Sequence, residues 1–228
     1  MRRHSGGMEA PGPRVRRAII GALAIGVVAV PMALAGPKGG KPGPPQPPGA
    51  VPGGVSVSGL TAGQGSVDIR EYIDLATAAS GQAHQRITGA LLRRVAAEQL
   101  GSISLRPLAT STDVNSTEAG QAVVAAANQD KAWEVTSALV RAQGAGGDWI
   151  NPGVLRKIAR RINGLDVAHF MRDAGPSAYP QLNIIRQEAT AAGVTVTPAY
   201  VVQGPNGSRV VTTPGNAQQV IEAIRAVR

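Results

Sequence analysis

A run of glycine and proline limits the part of this 228-residue chain that can build a hydrophobic core. Residues 36–54 read GPKGGKPGPPQPPGAVPGG, and fourteen of these nineteen positions are Gly or Pro. Such a segment has few side chains to bury and favours an extended form, with a reach of at most roughly 60 Å at about 3.1 Å per residue. The sequence therefore predicts a linker at 36–54 and one folded domain at 55–228.

The segment before the linker is apolar and follows a basic tail. Residues 1–17 hold five arginines, and the eighteen residues 18–35 carry no charged side chain. A helix of that length spans about 27 Å, close to the roughly 30 Å of a bilayer's hydrocarbon core. The basic tail predicts an inside N-terminus and an exported C-terminal domain. Residues 18–35 are therefore predicted to be either a single-pass membrane anchor or a signal peptide cleaved near Ala35, after which the domain is secreted.

The positive charge of the chain lies mainly before the domain. Of the formal net charge of +9, residues 1–54 contribute +6 and residues 55–228 only +3. A domain with so little net charge lacks the basic character of nucleic-acid-binding proteins, and no nucleic-acid partner is predicted. The domain has one dense basic cluster, which is either a solvated helix face or a contact surface for a partner or the anionic envelope. Its members are Arg156, Lys157, Arg160 and Arg161.

The domain alternates between strand-like and helix-like patterns. Apolar alternation predicts strands at 67–73, 102–108, 198–202 and 208–212. Apolar residues at helical spacing predict helices at 79–100, 118–143, 152–162, 167–172, 181–192 and 216–227. Gly101 is expected to end the first helix, and Asn206-Gly207 predicts a hairpin between the last two strands. This element order predicts an α/β, thioredoxin-like fold with a helical insertion at about 113–192.

Three short motifs carry a family resemblance. They are VDIREYIDL at 67–75, KAWE at 131–134 and AAGVTVTPAYVV at 191–202. The first resembles the strand that leads into the Cys-Pro-x-Cys redox motif of the DsbA-like thioredoxin family. The second is similar to a Lys-Phe-Trp-Glu segment of that family's inserted helical domain, and the third resembles the segment that holds its cis-proline. Since the motifs keep the family's order and spacing, the resemblance covers residues 55–228 and implies the DsbA-like fold.

The resemblance places Thr77 and Ser80 at the two cysteine positions of the redox motif, with Ala78 and Ala79 between them. The whole chain contains no cysteine. Thiol–disulfide exchange needs a thiolate that attacks a disulfide sulfur, and a hydroxyl cannot replace it. No catalytic residue is therefore predicted, and the chain is expected to be redox-inactive. The small residues are expected to preserve the turn, with the Thr77 hydroxyl capping the helix that follows.

Two further positions match functional positions of the family. Glu71 matches its buried acid, and without a thiol to serve it is interpreted as a hydrogen-bonded structural acid. Thr197-Pro198 matches the cis-proline loop, beside which the family pairs with substrate peptides. That loop is here either a fold-determining turn or, with Thr77 and Ser80, a residual peptide-binding groove, and the sequence leaves both interpretations and the isomer of the bond open.

No metal or cofactor is predicted, because the histidines of the domain, His84 and His169, do not belong to a cluster of ligands. Each is expected to pack or to form surface hydrogen bonds. The sequence thus favours an exported, membrane-tethered DsbA-like protein without redox activity that binds an envelope or secreted protein or peptide, or serves a membrane complex. One enzymatic alternative is glutathione-transferase-like chemistry, in which a hydroxyl at the helix N-terminus stabilises a bound thiolate.

Overall fold

The computed structural model describes residues 51, 55–110 and 113–228. The predicted basic tail at 1–17, the apolar segment at 18–35 and the linker, apart from Val51, lie outside these residues, so those predictions stay predictions. Val51 is partly buried against the domain core. Within the described ranges, no helix combines the length and the apolar character that crossing a bilayer requires.

A six-stranded mixed sheet forms the centre of the domain. Its strands are β1 (Val57–Ser58), β2 (Thr61–Gln64), β3 (Asp68–Ile73), β4 (Gly101–Pro107), β5 (Ala199–Gly204) and β6 (Gly207–Thr212). They lie in the order β1-β2-β4-β3-β5-β6, and β3 runs parallel to β4 and antiparallel to β5. The four strands predicted from the sequence are confirmed, and the short hairpin β1–β2 adds to them.

Eight α-helices surround the sheet in the described part of the chain. They are α1 (Ala78–Ala83), α2 (Gly89–Glu98), α3 (Val114–Ala127), α4 (Ala132–Ala145), α5 (Pro152–Ala159), α6 (Val167–Asp173), α7 (Tyr179–Ala191) and α8 (Ala217–Val227). A π-helical turn at His84–Thr88 joins α1 to α2, and a 3₁₀ turn at Pro176–Ala178 precedes α7. Helices α3 to α7 connect β4 to β5, so the α/β fold with a helical insertion expected from the sequence is confirmed.

The core is built mostly from small and aliphatic side chains, as the 3% aromatic content requires. Alanines on α3 are buried, and they let that helix approach its neighbours closely. The largest fully buried side chains are Trp133 on α4, Tyr72 on β3, Tyr200 on β5 and Phe170 on α6. One apolar cluster includes residues from the sheet, from α2 to α6 and from α8, so the inserted helices and the sheet share a core.

Two helix boundaries differ from the sequence prediction. The helix predicted at 118–143 is in fact two helices, because the chain turns at 128–131. Within this turn, Asp130 has a φ of 56°, and its carboxylate accepts a 2.6 Å hydrogen bond from the amide of Gly59. The helix predicted at 79–100 ends with α2 at Glu98, capped by Gln99 with a φ of 48°, rather than at Gly101. Gly101 instead begins β4.

Candidate functional site

A pair of hydroxyl groups lies at the junction between β3 and α1. Oγ1 of Thr77 donates to the carbonyl oxygen of Asp74 at 2.9 Å and lies 2.8 Å from Oγ of the buried Ser80. Oγ of Ser80 accepts from the amide of Asp74 at 3.3 Å. Oγ1 of Thr77 is the donor in both of its contacts, and because a hydroxyl has one hydrogen, that hydrogen is shared between the Asp74 carbonyl and Oγ of Ser80. The pair therefore closes a small ring of hydrogen bonds over the turn.

This ring corrects one expectation about Thr77. Thr77 stands at the N-cap of α1, but its hydroxyl points back to Asp74 instead of accepting from an amide of the helix. Its carbonyl oxygen accepts from the amide of Gly81 at 3.2 Å, as in an ordinary first helical turn. The hydroxyl hydrogen of Thr77 is engaged within the turn and Ser80 is buried, so neither residue presents a donor to the bound thiolate that the glutathione-transferase-like alternative requires.

The buried carboxylate of Asp74 connects this turn to the cis-proline loop. It accepts hydrogen bonds from the amide of Ala76 at 3.0 Å and the hydroxyl of Ser116 at 2.6 Å. It also accepts from the amide and the hydroxyl of Thr110, at 3.0 and 2.7 Å. Oγ1 of Thr110 in turn lies 3.5 Å from Oγ1 of Thr197. Sequence reasoning missed this role, although Asp74 is the last acidic residue of the VDIREYIDL motif.

The cis-proline loop borders a cleft that contains one of the four residues predicted to form a peptide-binding groove: Pro198 lines it, whereas Thr77, Ser80 and Thr197 do not. The Thr197-Pro198 bond is cis. A cleft of about 150 Å³ separates Pro198 from the first helix. Its lining residues are Ala79, Gln82, Ala83, Arg86 and Ile87 on one side and Pro198, Thr213 and Pro214 on the other. Ala79 and Pro198 thus face a shared space, while Ser80 is buried behind it.

The backbone before the cis-proline is open. Between described residues, the peptide groups of Val196 and Thr197 form no hydrogen bond. Val196 is also 45% exposed. An extended polypeptide beside this loop would find free backbone donors and acceptors together with one exposed apolar side chain, and such groups are what strand addition uses.

A second polar group lies buried beneath the junction. Glu71 on β3 is fully buried and pairs across the sheet with Tyr200 on β5. Its Oε2 lies 3.0 Å from Nδ1 of His84, and its Oε1 accepts from the hydroxyl of Tyr200 at 3.3 Å. That hydroxyl lies 2.8 Å from Oγ1 of Thr88. His84 and Thr88 are the first and last residues of the π-helical turn, so this turn presents both side chains to the sheet.

One arrangement of hydrogens satisfies this buried network. In it, Glu71 accepts from Nδ1–H of His84 and from the hydroxyl of Tyr200, and Thr88 donates to Tyr200. In the described part of the chain, Nε2 of His84 has no hydrogen-bond partner, and the imidazole ring stacks on Trp133 at 6.1 Å between centroids. Burial, followed by the charge of Glu71, raises the pKa of Tyr200 well above 10.

These contacts show what the site residues do. Through their hydrogen bonds, Glu71 and His84 hold together the central strand β3, the π-helical turn and β5. These contacts do not require a cysteine sulfur. The structural interpretation of Glu71 and the packing role of His84 agree with these contacts, whereas the partners Tyr200 and Thr88 were missed by sequence reasoning. His169 lies elsewhere, 3.0 Å from Asp173 on α6. Among the described residues, no group of three or more His, Cys, Asp or Glu could hold a metal ion.

Comparison of the sequence with known protein families and with curated proteins finds no match. Comparison with solved structures finds a thioredoxin-like oxidoreductase from Silicibacter pomeroyi DSS-3, which is 24% identical with a TM-score of 0.56 over 75% of this chain and 90% of that chain. DsbA2 from Pseudomonas aeruginosa is 22% identical with a TM-score of 0.58, over 77% of this chain and 97% of its own.

A third neighbour is MdbA, a thiol-disulfide oxidoreductase from Corynebacterium diphtheriae, at 18% identity and a TM-score of 0.58, over 74% of this chain and 93% of its own. At identities below 25%, such likenesses concern the fold. They agree with the three sequence motifs and with the cis-proline opposite the first helix. The chain therefore has the fold of the DsbA-like thiol-disulfide oxidoreductases, and it lacks both cysteines of their Cys-x-x-Cys motif.

Proposed function

We propose that this chain is a redox-inactive binding protein of the cell envelope that holds an extended segment of another envelope or secreted protein. The peptide would lie against the cis-proline loop and the cleft that faces Ala79, in a region that we call the cis-proline face. The observation that carries the proposal is the backbone of Val196 and Thr197, which forms no hydrogen bond between described residues, near a turn in which the Thr77 hydroxyl is already engaged.

The chemistry of the turn supports a binding role without catalysis. Ser80 is buried, and the hydroxyl of Thr77 is engaged with the Asp74 carbonyl, so neither is a free nucleophile. A redox step at this position would need sulfur atoms that the chain does not contain. What the face offers instead is shape, free peptide groups and the exposed side chain of Val196.

The envelope location rests on the sequence. The charge-free segment 18–35 after a basic tail supports export, and the Gly/Pro-rich linker supports a folded domain that is joined to this segment by an extended tether. If the segment stays attached, the partner would belong to the envelope or to a membrane complex. If it is cleaved near Ala35, the domain would act as a secreted binding protein.

The test uses the full-length chain and a reduced, alkylated polypeptide that stays unfolded and carries a fluorophore. Binding is measured by fluorescence anisotropy for the wild type, for Val196→Arg and for Val210→Arg. The two valines are matched, because they are 45% and 43% exposed and Val210 lies on β6 away from the cis-proline loop. We expect Val196→Arg to weaken binding at least about tenfold, since it places a charge where an apolar contact forms.

Val210→Arg should bind like the wild type, with unfolding curves showing that both variants fold. Equal binding by all three proteins would place the polypeptide elsewhere and overturn the cis-proline face as the binding site. Absence of binding by the wild type would overturn the holding function for unfolded segments.

A further inference from the structure

Four basic side chains form one exposed surface on the inserted helices. This surface, the α5 basic face, consists of Arg156, Lys157, Arg160 and Arg161, all of which are exposed. The first two lie on α5, and the other two continue its last turn. The amide of Arg160 donates to the carbonyl of Arg156 at 3.1 Å, and that of Arg161 donates to the carbonyl of Ile158 at 3.0 Å.

Helical geometry directs these side chains away from the core. At 100° per residue, positions 156, 157, 160 and 161 cover an arc of about 140° on one side of the helix. The buried residues of α5, which are Leu155, Ile158 and Ala159, lie on the opposite side. The four cations therefore project together into solvent, along a stretch of about 8 Å of helix axis.

The surrounding charges leave these cations uncompensated. Between described residues, none of the four forms a salt bridge with a carboxylate. The domain at 55–228 has a net charge of +3, so the rest of the domain carries −1 once these four are removed. The four positive charges of the face exceed the net charge of the whole domain. Because positive charge is concentrated on this one side, an anionic surface would attract the domain in one preferred orientation.

We propose that the α5 basic face rests on anionic phospholipid headgroups of the membrane in which segment 18–35 is predicted to be anchored. Lys and Arg within a Debye length of such a surface are attracted to it. A tether keeps the domain near the bilayer and so raises the local concentration of the face beside the lipid. The face therefore contacts the lipid even if the untethered domain would bind it only weakly. The inference goes beyond the cis-proline face, and it depends on the predicted anchor rather than on peptide binding.

The geometry favours a lipid surface over a defined acidic partner. No hydrogen bond between described residues fixes any of these four side chains, so their charges adapt to a diffuse layer of headgroups. A single protein partner would be better served by side chains held in a fixed arrangement, as in bidentate Arg–carboxylate pairs.

The absence of cysteine makes the contact measurable on the full-length chain, because one introduced cysteine is labelled uniquely. Asn163→Cys places a fluorophore beside the face, and Ser208→Cys places one on the β5–β6 hairpin; both positions are exposed. Each protein is reconstituted into vesicles of phosphatidylcholine alone or with about one third phosphatidylglycerol, with a quencher on a lipid headgroup. We expect the anionic lipid to raise quenching at position 163 at least about twofold over position 208, and about 0.5 M salt to reverse the gain.

Two charge variants with the same total charge decide where the attraction originates. The first replaces the face with Gln at Arg156, Lys157, Arg160 and Arg161, and it should lose the gain. The second replaces four dispersed, exposed arginines with Gln, and it should keep the gain; its positions are Arg93, Arg141, Arg209 and Arg225. Equal quenching in neutral and anionic vesicles, or equal loss in both variants, would overturn the proposal.

One competing occupant is tested in the same samples. If added polyglutamate shields the label at position 163 while lipid charge has no effect, the face serves an acidic polypeptide and the membrane proposal is wrong. Because Val196→Arg leaves the α5 basic face unchanged, failure of peptide binding and failure of membrane contact are distinguishable.

Discussion

Tyr200 shows at the residue scale how the network below the turn supports the fold. Its hydroxyl is buried and lies within hydrogen-bond distance of both Glu71 and Thr88. From its place on β5, Tyr200 therefore links the central strand β3 to the π-helical turn. Removing the oxygen leaves both partners buried with one hydrogen bond fewer, and that loss is more costly than the loss of an exposed hydroxyl.

We predict that Tyr200→Phe lowers the free energy of unfolding by about 1–3 kcal/mol. The matched control is Tyr179→Phe at a tyrosine that is 46% exposed, and it should change stability by less than about 0.5 kcal/mol. Urea denaturation at pH 7, followed by circular dichroism, measures both. Equal effects of the two substitutions would show that the Tyr200 hydroxyl contributes no more than a surface hydroxyl.

The same residue predicts a pH dependence. The pKa of Tyr200 is raised in the folded state from its ordinary value of 10.0, chiefly by burial and then by the charge of Glu71. Above about pH 10 the unfolded chain loses this proton while the folded chain keeps it, so stability is fully present below that pH and falls as pH rises through it. Wild-type stability should therefore decline more steeply between pH 9 and pH 11 than that of Tyr200→Phe. Parallel curves would contradict the raised pKa.

Gly101 shows at the element scale why β4 begins where it does. A β-carbon at this position would collide with the carbonyl group of Val67, which also accepts a 2.9 Å hydrogen bond from the amide of Ser102. The close approach of two backbones here sets the register of β4 against β3, in which Asp68 lies opposite Ser102. Only glycine fits such an approach without moving the strand.

We predict that Gly101→Ala lowers the free energy of unfolding by more than about 2 kcal/mol, because the new methyl group forces β3 and β4 apart. Gly144→Ala on α4 is the control, since a β-carbon there meets nothing within 4 Å, and it should stabilise the helix by about 0.5–1 kcal/mol. Chemical denaturation of both variants gives the comparison. A Gly101→Ala protein as stable as the wild type would disprove the close packing at this junction.

The strands and helices show how far secondary structure could be predicted from the sequence. Alternation of apolar and polar residues predicted β3 to β6, because each of these strands buries side chains at regular spacing. The helices, which contain few Gly and Pro residues, were predicted from apolar residues at helical spacing. The hairpin β1–β2 was missed because strands of two and four residues are too short to establish a period. The break before α4 was missed because it depends on the contact between Asp130 and Gly59, which are 71 residues apart.

The candidate site likewise contains residues that the sequence predicted and residues that it missed. Thr77, Ser80, Glu71 and Pro198 were predicted from motif positions, because a motif reports which residue occupies each place along the chain. The predicted capping by the Thr77 hydroxyl was wrong, since the direction of this hydroxyl depends on the local geometry of the turn. Tyr200 and Thr88 were missed because their link to Glu71 is made only when distant segments meet in the folded protein.

At the scale of the whole molecule, the chain combines the fold of the DsbA-like oxidoreductases with a site that contains no cysteine. The likeness to DsbA2 from Pseudomonas aeruginosa covers 77% of this chain. Thr77 and Ser80, which the sequence resemblance places at the two cysteine positions, lie at the start of α1 with their oxygens 2.8 Å apart. The fold thus brings into contact the two side chains at which the resemblance would place a dithiol pair.

We predict that the double substitution Thr77→Cys, Ser80→Cys restores a reversible disulfide, whereas the wild type shows no disulfide exchange with reduced or oxidised glutathione. The two side chains already lie in contact at the start of a helix, a position that favours a thiolate. Free thiols are counted with a chromogenic reagent after equilibration across glutathione redox buffers. The control pair Thr77→Cys, Ala79→Cys should oxidise less readily, because Ala79 is exposed and turned toward the cleft, while Ser80 contacts Thr77. If both pairs oxidise at the same potential, the fold does not impose the geometry of a redox motif at this turn, and the likeness to the oxidoreductases stops at the arrangement of their strands and helices.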